Sequence, residues 1–505
     1  MADLETSWLA IERHASRCIG VIAVIVAIVA ATFATRSAAG ADASGYLSEA
    51  ATWSIVQPAV YSEFLVRDIP ELDGWITTPL GWRPAQGHCG LDCAGFQVPT
   101  YPPGLPLLMA IPHALAGIDG ANAVVIVSAA VAVWATGMLA GGVAGIVAAI
   151  LIAFSPVFLY QSFQPMSDVP VTAAWMLCFL MLARGGTPVW AGIACAVAIL
   201  IRPNLAPLAI VPFVVANNRL TFALPVIVAG AFLAFMQWLW YGSPLQSGYG
   251  SLAELFAFAN VMPNASRYFN WLIATAPVLL LAPFGFARLR QQPLPRALAI
   301  FAALVVISYL AYGVFDHWSY LRFLLPVLAV FAVFAAVELA GWISRWPMSW
   351  RAPLLVGLML GVTAHALFVA RSLDTFRLAD QLRRVEQVAE AISHTAPANA
   401  VIVAGEQSGS MRYYTGRSIL RWEAATADTL PKALETLLKA QRPIYIVLDA
   451  WEIELFREKF PNVGPAELDW PPMLEAGTSH RTLAWNLADR FRFQIGQRIN
   501  TIRIP

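Results

Sequence analysis

From Gly104 to Ile201 the chain carries only three acidic or basic side chains, Asp119, Asp168 and Arg184. A helix crossing a bilayer needs about 20 mostly apolar residues, and this stretch supplies several such runs in succession. Soluble domains carry roughly 25% charged residues. Here the share is 12% of 505 residues, against 58% hydrophobic and a mean hydropathy of +0.63. So little polar cover cannot wrap one soluble globule without leaving large apolar patches in water. The chain reads as an integral membrane protein, which excludes a soluble enzyme and a disordered segment. A net charge of +1 gives no attraction for a polyanion, so no nucleic-acid partner is expected.

Hydropathy places a first span at about Cys18 to Thr35 and further spans starting near Ala121, Val143, Val169, Pro188, Leu205, Leu220, Trp271, Ala297, Leu321 and Pro353, about eleven in all. Gly104 to Gly117 is broken by Pro106, Pro112 and His113 and reads as an interfacial or re-entrant helix. Arg13 and Arg17 precede the first span, and Arg184, Arg219, Arg288, Arg290, Arg296, Arg345 and Arg351 fall in alternate connections. The positive-inside rule makes those connections cytoplasmic. The long first loop, about 36–120, holds Asp42, Glu49, Glu63, Asp68, Glu71, Asp73 and Asp92 and is expected outside. Beyond about Arg371 charges return, and short apolar runs at Ala400–Ala404, Ile419–Trp422 and Ile444–Leu448 alternate with helical patterns. The expected fold is therefore an all-α polytopic membrane domain, 1–370, followed by a small α/β domain, 371–505, on the outer side.

Lysine occurs only at Lys432, Lys439 and Lys459. The apolar part thus lacks the Gly-Lys-Ser/Thr of a phosphate-binding loop, excluding an ATP-driven motor within it. No internal repeat of the kind found in secondary transporters is visible. Cys18, Cys178 and Cys195 read as small core residues. Cys89 and Cys93, with His88 nearby, read as a disulfide or free thiols in an outer loop rather than as an incomplete metal site.

Charges at membrane depth are costly and mark function by default. Asp168, in Ser167-Asp168-Val169-Pro170, suits either a helix cap or a site carboxylate. Asp42 stands just beyond the first span, before Tyr46, Ala50 and Trp53 at helical spacing. A carboxylate at a membrane surface suits general-base work on a hydroxyl, the structural alternative being again a cap. Arg202 and Arg322 lie on the expected outer side, against the positive-inside bias. Each suits a phosphate, with snorkelling to the interface as the alternative. Tyr249 belongs to a Gly- and Ser-rich loop that reads as a lid or a turn.

The ordered set Asp42-x3-Tyr46-Leu47-x2-Ala50, Tyr101-Pro102-Pro103-Gly104, Ser155-Pro156-Val157-Phe158-Leu159-Tyr160 with Ser167-Asp168-Val169-Pro170, Arg202-Pro203, and Tyr320-Leu321-Arg322-Phe323-Leu324-Leu325-Pro326 resembles the GT-C glycosyltransferases. It is most similar to bacterial relatives of protein O-mannosyltransferases and the lipid A aminoarabinose transferase. The resemblance covers about residues 15 to 370. It implies a sugar donor linked to polyprenyl phosphate, a glycan, lipid or protein acceptor, and transfer outside the bacterial cytoplasmic membrane. It puts the catalytic base on Asp42 and the second outer-loop acid on Asp168; by their own chemistry and placement, Arg202 and Arg322 are assigned to the donor phosphate and Tyr46, Tyr101 and Tyr249 to the substrate. Ala43 stands where many members have Glu, and the first outer-loop lysine of the aminoarabinose enzyme has no counterpart.

On this reading Asp42 deprotonates an acceptor hydroxyl that displaces a lipid phosphate with inversion. The leaving group is already a stable anion, so no cofactor is required, and a divalent metal is allowed but not indicated. The rivals are a transporter or flippase of a lipid-linked sugar, which needs no surface base, and an O-antigen polymerase or ligase, which is marked by a dominant late outer loop.

Overall fold

Helices that are apolar on every face belong inside a bundle or a bilayer. Leu325–Ile343 is of this kind and is the enclosed centre of the molecule, packed against Gly142–Ala153, Ala282–Leu289 and Pro293–Leu310. The computed structural model describes residues 2–55, 61–63, 65, 72, 74–87, 93, 95–250, 255–461 and 463–504. His88 and Cys89 lie outside the described residues, whereas Cys93 is disulfide-bonded.

Among the described residues, six helices are long and apolar enough to cross a membrane: Ala15–Phe33, Gly104–Ala140, Arg219–Tyr241, Pro293–Leu310, Trp318–Ile343 and Met348–Ser372. The number rises to eight if each of two bent pairs, Gly142–Ala153 with Pro156–Ser162 and Phe258–Thr275 with Pro277–Leu289, is one crossing. The spans expected from Val169, Pro188 and Leu205 are shorter helices, Asp168–Ala183, Pro188–Ile201 and Pro203–Val215. Length and composition thus return fewer full-length crossings than the eleven expected, because these three helices are shorter than the roughly 20 residues a full crossing needs. Gly104–Ala140 is interrupted at Ala116 and Gly117, where Gly117 takes φ 56°. This separates the Pro-containing segment from the helix that follows.

The first loop opens with the helix Gly40–Ser54. A small antiparallel sheet follows, with Phe96–Pro99 between Tyr61–Ser62 and Trp82–Pro84. Beyond the bundle, Val401–Ala404, Ser418–Arg421 and Ile444–Asp449 form a parallel core flanked by Thr482–Asn486, Leu474–Ala476 and Ile502–Ile504 in a six-stranded mixed sheet. Helices Leu378–Thr395, Ser408–Thr415, Thr429–Lys439 and Glu452–Lys459 accompany it. Loop and sheet share one apolar core: Leu65, Leu72 and Ile76 pack among Leu420, Trp422, Leu434 and Leu448. The backbone N–H of Arg421 donates to Ile76 O. A buried Arg412–Glu63 ion pair at 2.8 Å closes the joint.

Candidate active site

Where loop, bundle and sheet meet lies a cavity of about 1190 Å³. Three backbone interruptions place its charges. Gly40, at φ +73°, turns the chain into the Gly40–Ser54 helix and sets Asp42 in its first turn, where the helix dipole favours a negative charge. Pro203 ends the helix Pro188–Ile201 and holds Arg202 extended at φ −137°, ψ 86°, as a residue before proline prefers. Arg322 sits in the tight turn Trp318–Leu324 that leads into Leu325–Ile343.

The side chains converge. Arg322 Nη2 donates to Asp42 Oδ2 at 2.8 Å, and Arg322 Nη1 lies 4.0 Å from Asp168 Oδ2. Arg202 Nη2 donates to Asp168 Oδ1 in a close ion pair. The Tyr101 hydroxyl donates to Asp42 Oδ1 at 2.7 Å. Tyr101 packs against Tyr46 with centroids 4.7 Å apart and against Tyr249 at 5.9 Å. The Asp168 side chain is fully buried, Arg202 and Arg322 are 10% and 14% exposed, and Asp42 opens 32% of its side chain to the cavity. Neither carboxylate caps its helix, since no side-chain cap bond is made at either N-terminus. Neither arginine snorkels: each guanidinium is spent on an aspartate inside the molecule. Asp168 Oδ2 and Arg322 Nε have no hydrogen-bond partner among the described residues.

Burial pushes the Asp42 carboxyl up, but Arg322 and the Tyr101 hydroxyl outweigh it and hold the group below its ordinary value of 3.8. Asp42 is therefore ionised at neutral pH. Burial and the Asp42 charge raise Tyr46 and Tyr101 above the ordinary tyrosine value, so both keep their protons.

Other residues join the site without having been singled out from the sequence. Tyr309 accepts from Arg202 Nη1 at 3.4 Å and from Asn204 Nδ2 at 3.0 Å. Phe323 lies under both guanidinium groups at 5.8 and 5.3 Å. Leu233, Leu245, Leu255, Phe256 and Phe315 give the cavity an apolar wall. The sheet contributes a polar wall that includes Glu406, Gln407, Asp449 and Trp451. Of the features legible earlier, Asn204 adjoins the singled-out Arg202-Pro203 pair and was the nearest signal. A further charged pair, Arg288–Glu338, does not line the cavity.

The chain shares its fold with solved structures of GT-C membrane glycosyltransferases. One similar structure is ArnT from Cupriavidus metallidurans bound to undecaprenyl phosphate, at 11% identity and TM-score 0.54 over 92% of this chain and 97% of that one. The apo state of the same ArnT aligns at 12% identity and TM-score 0.54, over 95% and 98%. The archaeal oligosaccharyltransferase AglB from Archaeoglobus fulgidus, in complex with an inhibitory peptide and a dolichol-phosphate, aligns at 13% identity and TM-score 0.51, over 89% and 72%. At these identities the likeness is one of fold. No family model and no curated protein matches the sequence.

Proposed function

We propose that this cavity transfers a sugar from a polyprenyl-phosphate donor to a hydroxyl on a glycan, lipid or protein acceptor, at the outer face of the bacterial cytoplasmic membrane. The observation that carries the reading is Arg322 facing Asp42 and Asp168 together in one cavity that also has an apolar wall. Such a site offers a fixed cation to a lipid phosphate and a carboxylate to an acceptor. The similar folds bound to undecaprenyl phosphate and to a dolichol-phosphate support that class of donor.

In the resting cavity both oxygens of Asp42 are occupied, by Tyr101 and Arg322. A donor phosphate competes for Arg322 with its own charge and geometry. When it wins, Asp42 Oδ2 is released and becomes the stronger base, so proton acceptance is coupled to donor arrival. The acceptor oxygen then bonds to the anomeric carbon as the bond from that carbon to the phosphate oxygen breaks, with inversion. The acceptor proton passes to Asp42, and the electron pair leaves on the lipid phosphate, stabilised by Arg322 and Arg202. Asp168 holds Arg202 in place and sets its second oxygen 4.0 Å from Arg322, keeping both guanidinium groups aligned. Tyr46, Tyr101 and Tyr249 are the substrate-facing aromatic set, and the chemistry asks for no metal.

Counting the three shorter apolar helices and both bent pairs as crossings beside the six long helices gives eleven spans. An odd number puts 371–505 and the first loop on the outer side, with the arginine-rich connections inside. The test is direct. Native mass spectrometry of the full chain is expected to show one bound undecaprenyl phosphate, weakened by Arg322→Ala or Arg202→Ala. Purified Asp42→Asn is expected to keep lipid binding and to lose transfer by a factor of about 10² or more. Near-normal transfer by that variant removes Asp42 from the role of base.

A further inference from the structure

The sheet that covers the cavity meets it with a particular edge. Val401–Ala404 runs parallel to Ser418–Arg421 on one side and to Ile444–Asp449 on the other, so the chain reverses its strand order at Val401–Ala404. Open α/β sheets bind ligands in the crevice beyond the carboxyl ends of strands at such a reversal. Glu406 follows Val401–Ala404, Asp449 ends Ile444–Asp449, and both line the cavity that contains Asp42.

The crevice is built rather than incidental. The buried Glu452 carboxylate accepts from the backbone N–H groups of Glu406 at 3.0 Å and Asp449 at 2.8 Å, tying the two strand ends together. Gly405 is required there, because a Cβ would stand 2.1 Å from Glu452 Oε1. Gln407 Nε2 donates to Asp449 Oδ2 at 2.9 Å, while Gln407 Oε1 accepts from the Gly40 N–H at 3.3 Å. The crevice is thereby fastened to the start of the helix that carries Asp42. Charge inside the cavity pairs off as Asp42 with Arg322, Asp168 with Arg202, and Asp449 with Arg384. Glu406 is the acid left over, without a side-chain hydrogen bond among the described residues. On the same cavity wall Trp451 keeps 58% of its surface exposed.

The geometry points to a carbohydrate subsite in this crevice, with Trp451 as the face on which a sugar ring lies and Glu406 as the partner for its hydroxyls, while the buried Asp449, held by Thr482, Gln407 and Arg384, fixes the crevice floor. An unpaired carboxyl and an exposed indole on one wall match a ring that is polar at its edge and apolar on its face. An arginine-bound phosphate belongs to the opposite wall. Burial, then the charges of Glu423, Asp449 and Asp42, push the Glu406 carboxyl up to about 7, so near neutrality it both donates to and accepts from hydroxyls. The assignment rests on the glycosyl-transfer reading for its ligand class, and it deepens that reading. The ring belongs to either the donor or the acceptor.

Saturation-transfer NMR on the full chain in nanodiscs, with a panel of methyl glycosides of hexoses, pentoses and amino sugars, tests the crevice without needing transfer. At least one glycoside is expected to receive saturation from the wild type. Trp451→Ala, and separately Glu406→Gln, should lower that signal about fivefold or more, while Arg498→Ala, at an exposed position away from the cavity, leaves it intact. No signal from any glycoside, or a signal unchanged by Trp451→Ala, overturns the proposal. Adding undecaprenyl phosphate linked to whichever sugar of the panel gives the strongest signal assigns the ring: displacement of the glycoside means the donor's sugar, retention means the acceptor's, and either upholds a carbohydrate subsite. Undecaprenyl phosphate binding, read separately by native mass spectrometry, keeps the two proposals apart. Glycoside binding without lipid binding defeats the donor reading alone, and lipid binding without any glycoside defeats the crevice alone.

Discussion

Asp42 and Glu49 sit on one helix and are pulled in opposite directions. Asp42 is held below its ordinary value because Arg322 and Tyr101 outweigh its burial, whereas burial drives Glu49 well above 4.5 with only the Trp53 indole to offset it. The signs for stability follow. Asp42 binds its proton less tightly when folded, so its contribution is present above about pH 3.8 and fades as pH falls through the lowered native value. Glu49 binds its proton more tightly when folded, so its ionisation erodes stability as pH rises from 4.5 toward the raised native value. Glu49→Gln is expected to raise the unfolding temperature in detergent at pH 7 and to leave it unchanged near pH 4. An unchanged temperature at both would show that Glu49 carries no such penalty. Asp168→Ala leaves Arg202 buried without its partner and is expected to cost about 3–5 kcal/mol, seen as a lowered unfolding temperature. Asp42, Asp168, Arg202 and Arg322 were legible in the sequence because each sets a charge in or beside apolar chain, where few charges are tolerated. Glu406 and Asp449 were not legible, since a carboxylate in a polar domain is unremarkable until the fold turns it toward a cavity. Tyr309 was hidden in the same way within an apolar run.

Among the elements, the helix Gly40–Ser54 depends on one close approach. A Cβ on Gly45 would stand 2.3 Å from the Tyr101 ring and 3.0 Å from Gly81 Cα. Gly45→Ala must therefore push Tyr101 away from Asp42. The expected cost is about 1–3 kcal/mol, with the Asp42 carboxyl moving toward a higher pKa as it loses the Tyr101 hydroxyl. Thermal unfolding checks the first effect, and a shifted acid limb of the pH profile of transfer checks the second. The long apolar helices were legible as runs without charge, and the parallel strands Val401–Ala404 and Ile444–Asp449 as short runs in polar chain. Leu474–Ala476 and Ile502–Ile504 were not, because three residues are too few to show an alternation. The helices near Val169 and Pro188 were legible as apolar runs, but hydropathy does not show that they are only 16 and 14 residues long.

For the whole molecule, the proposed sidedness is tested by fusion: alkaline phosphatase joined after Pro505 is expected to be active. An inactive phosphatase with a fluorescent cytoplasmic reporter at the same point would reverse every loop. A chain cut after Arg371 is expected to unfold at lower temperature and to lose monodispersity in detergent, since Leu65, Leu72 and Ile76 would be left without the sheet that covers them. A truncated chain as stable as the full one would mean that the loop folds alone.

The buried Arg412–Glu63 pair joins residues 349 apart in sequence, and this governs the order in which the molecule can be made. The ribosome emits Glu63 early and Arg412 only when most of the polypeptide exists, so the first loop has to wait, uncovered, through synthesis of the bundle. Contacts of such sequence separation form slowly and leave apolar surface open meanwhile. The same wait postpones assembly of the cavity wall that carries Glu406 until the last strands arrive. A prematurely terminated chain therefore holds Asp42 and both arginines without the enclosure that aligns them, so completeness of synthesis becomes a precondition of activity.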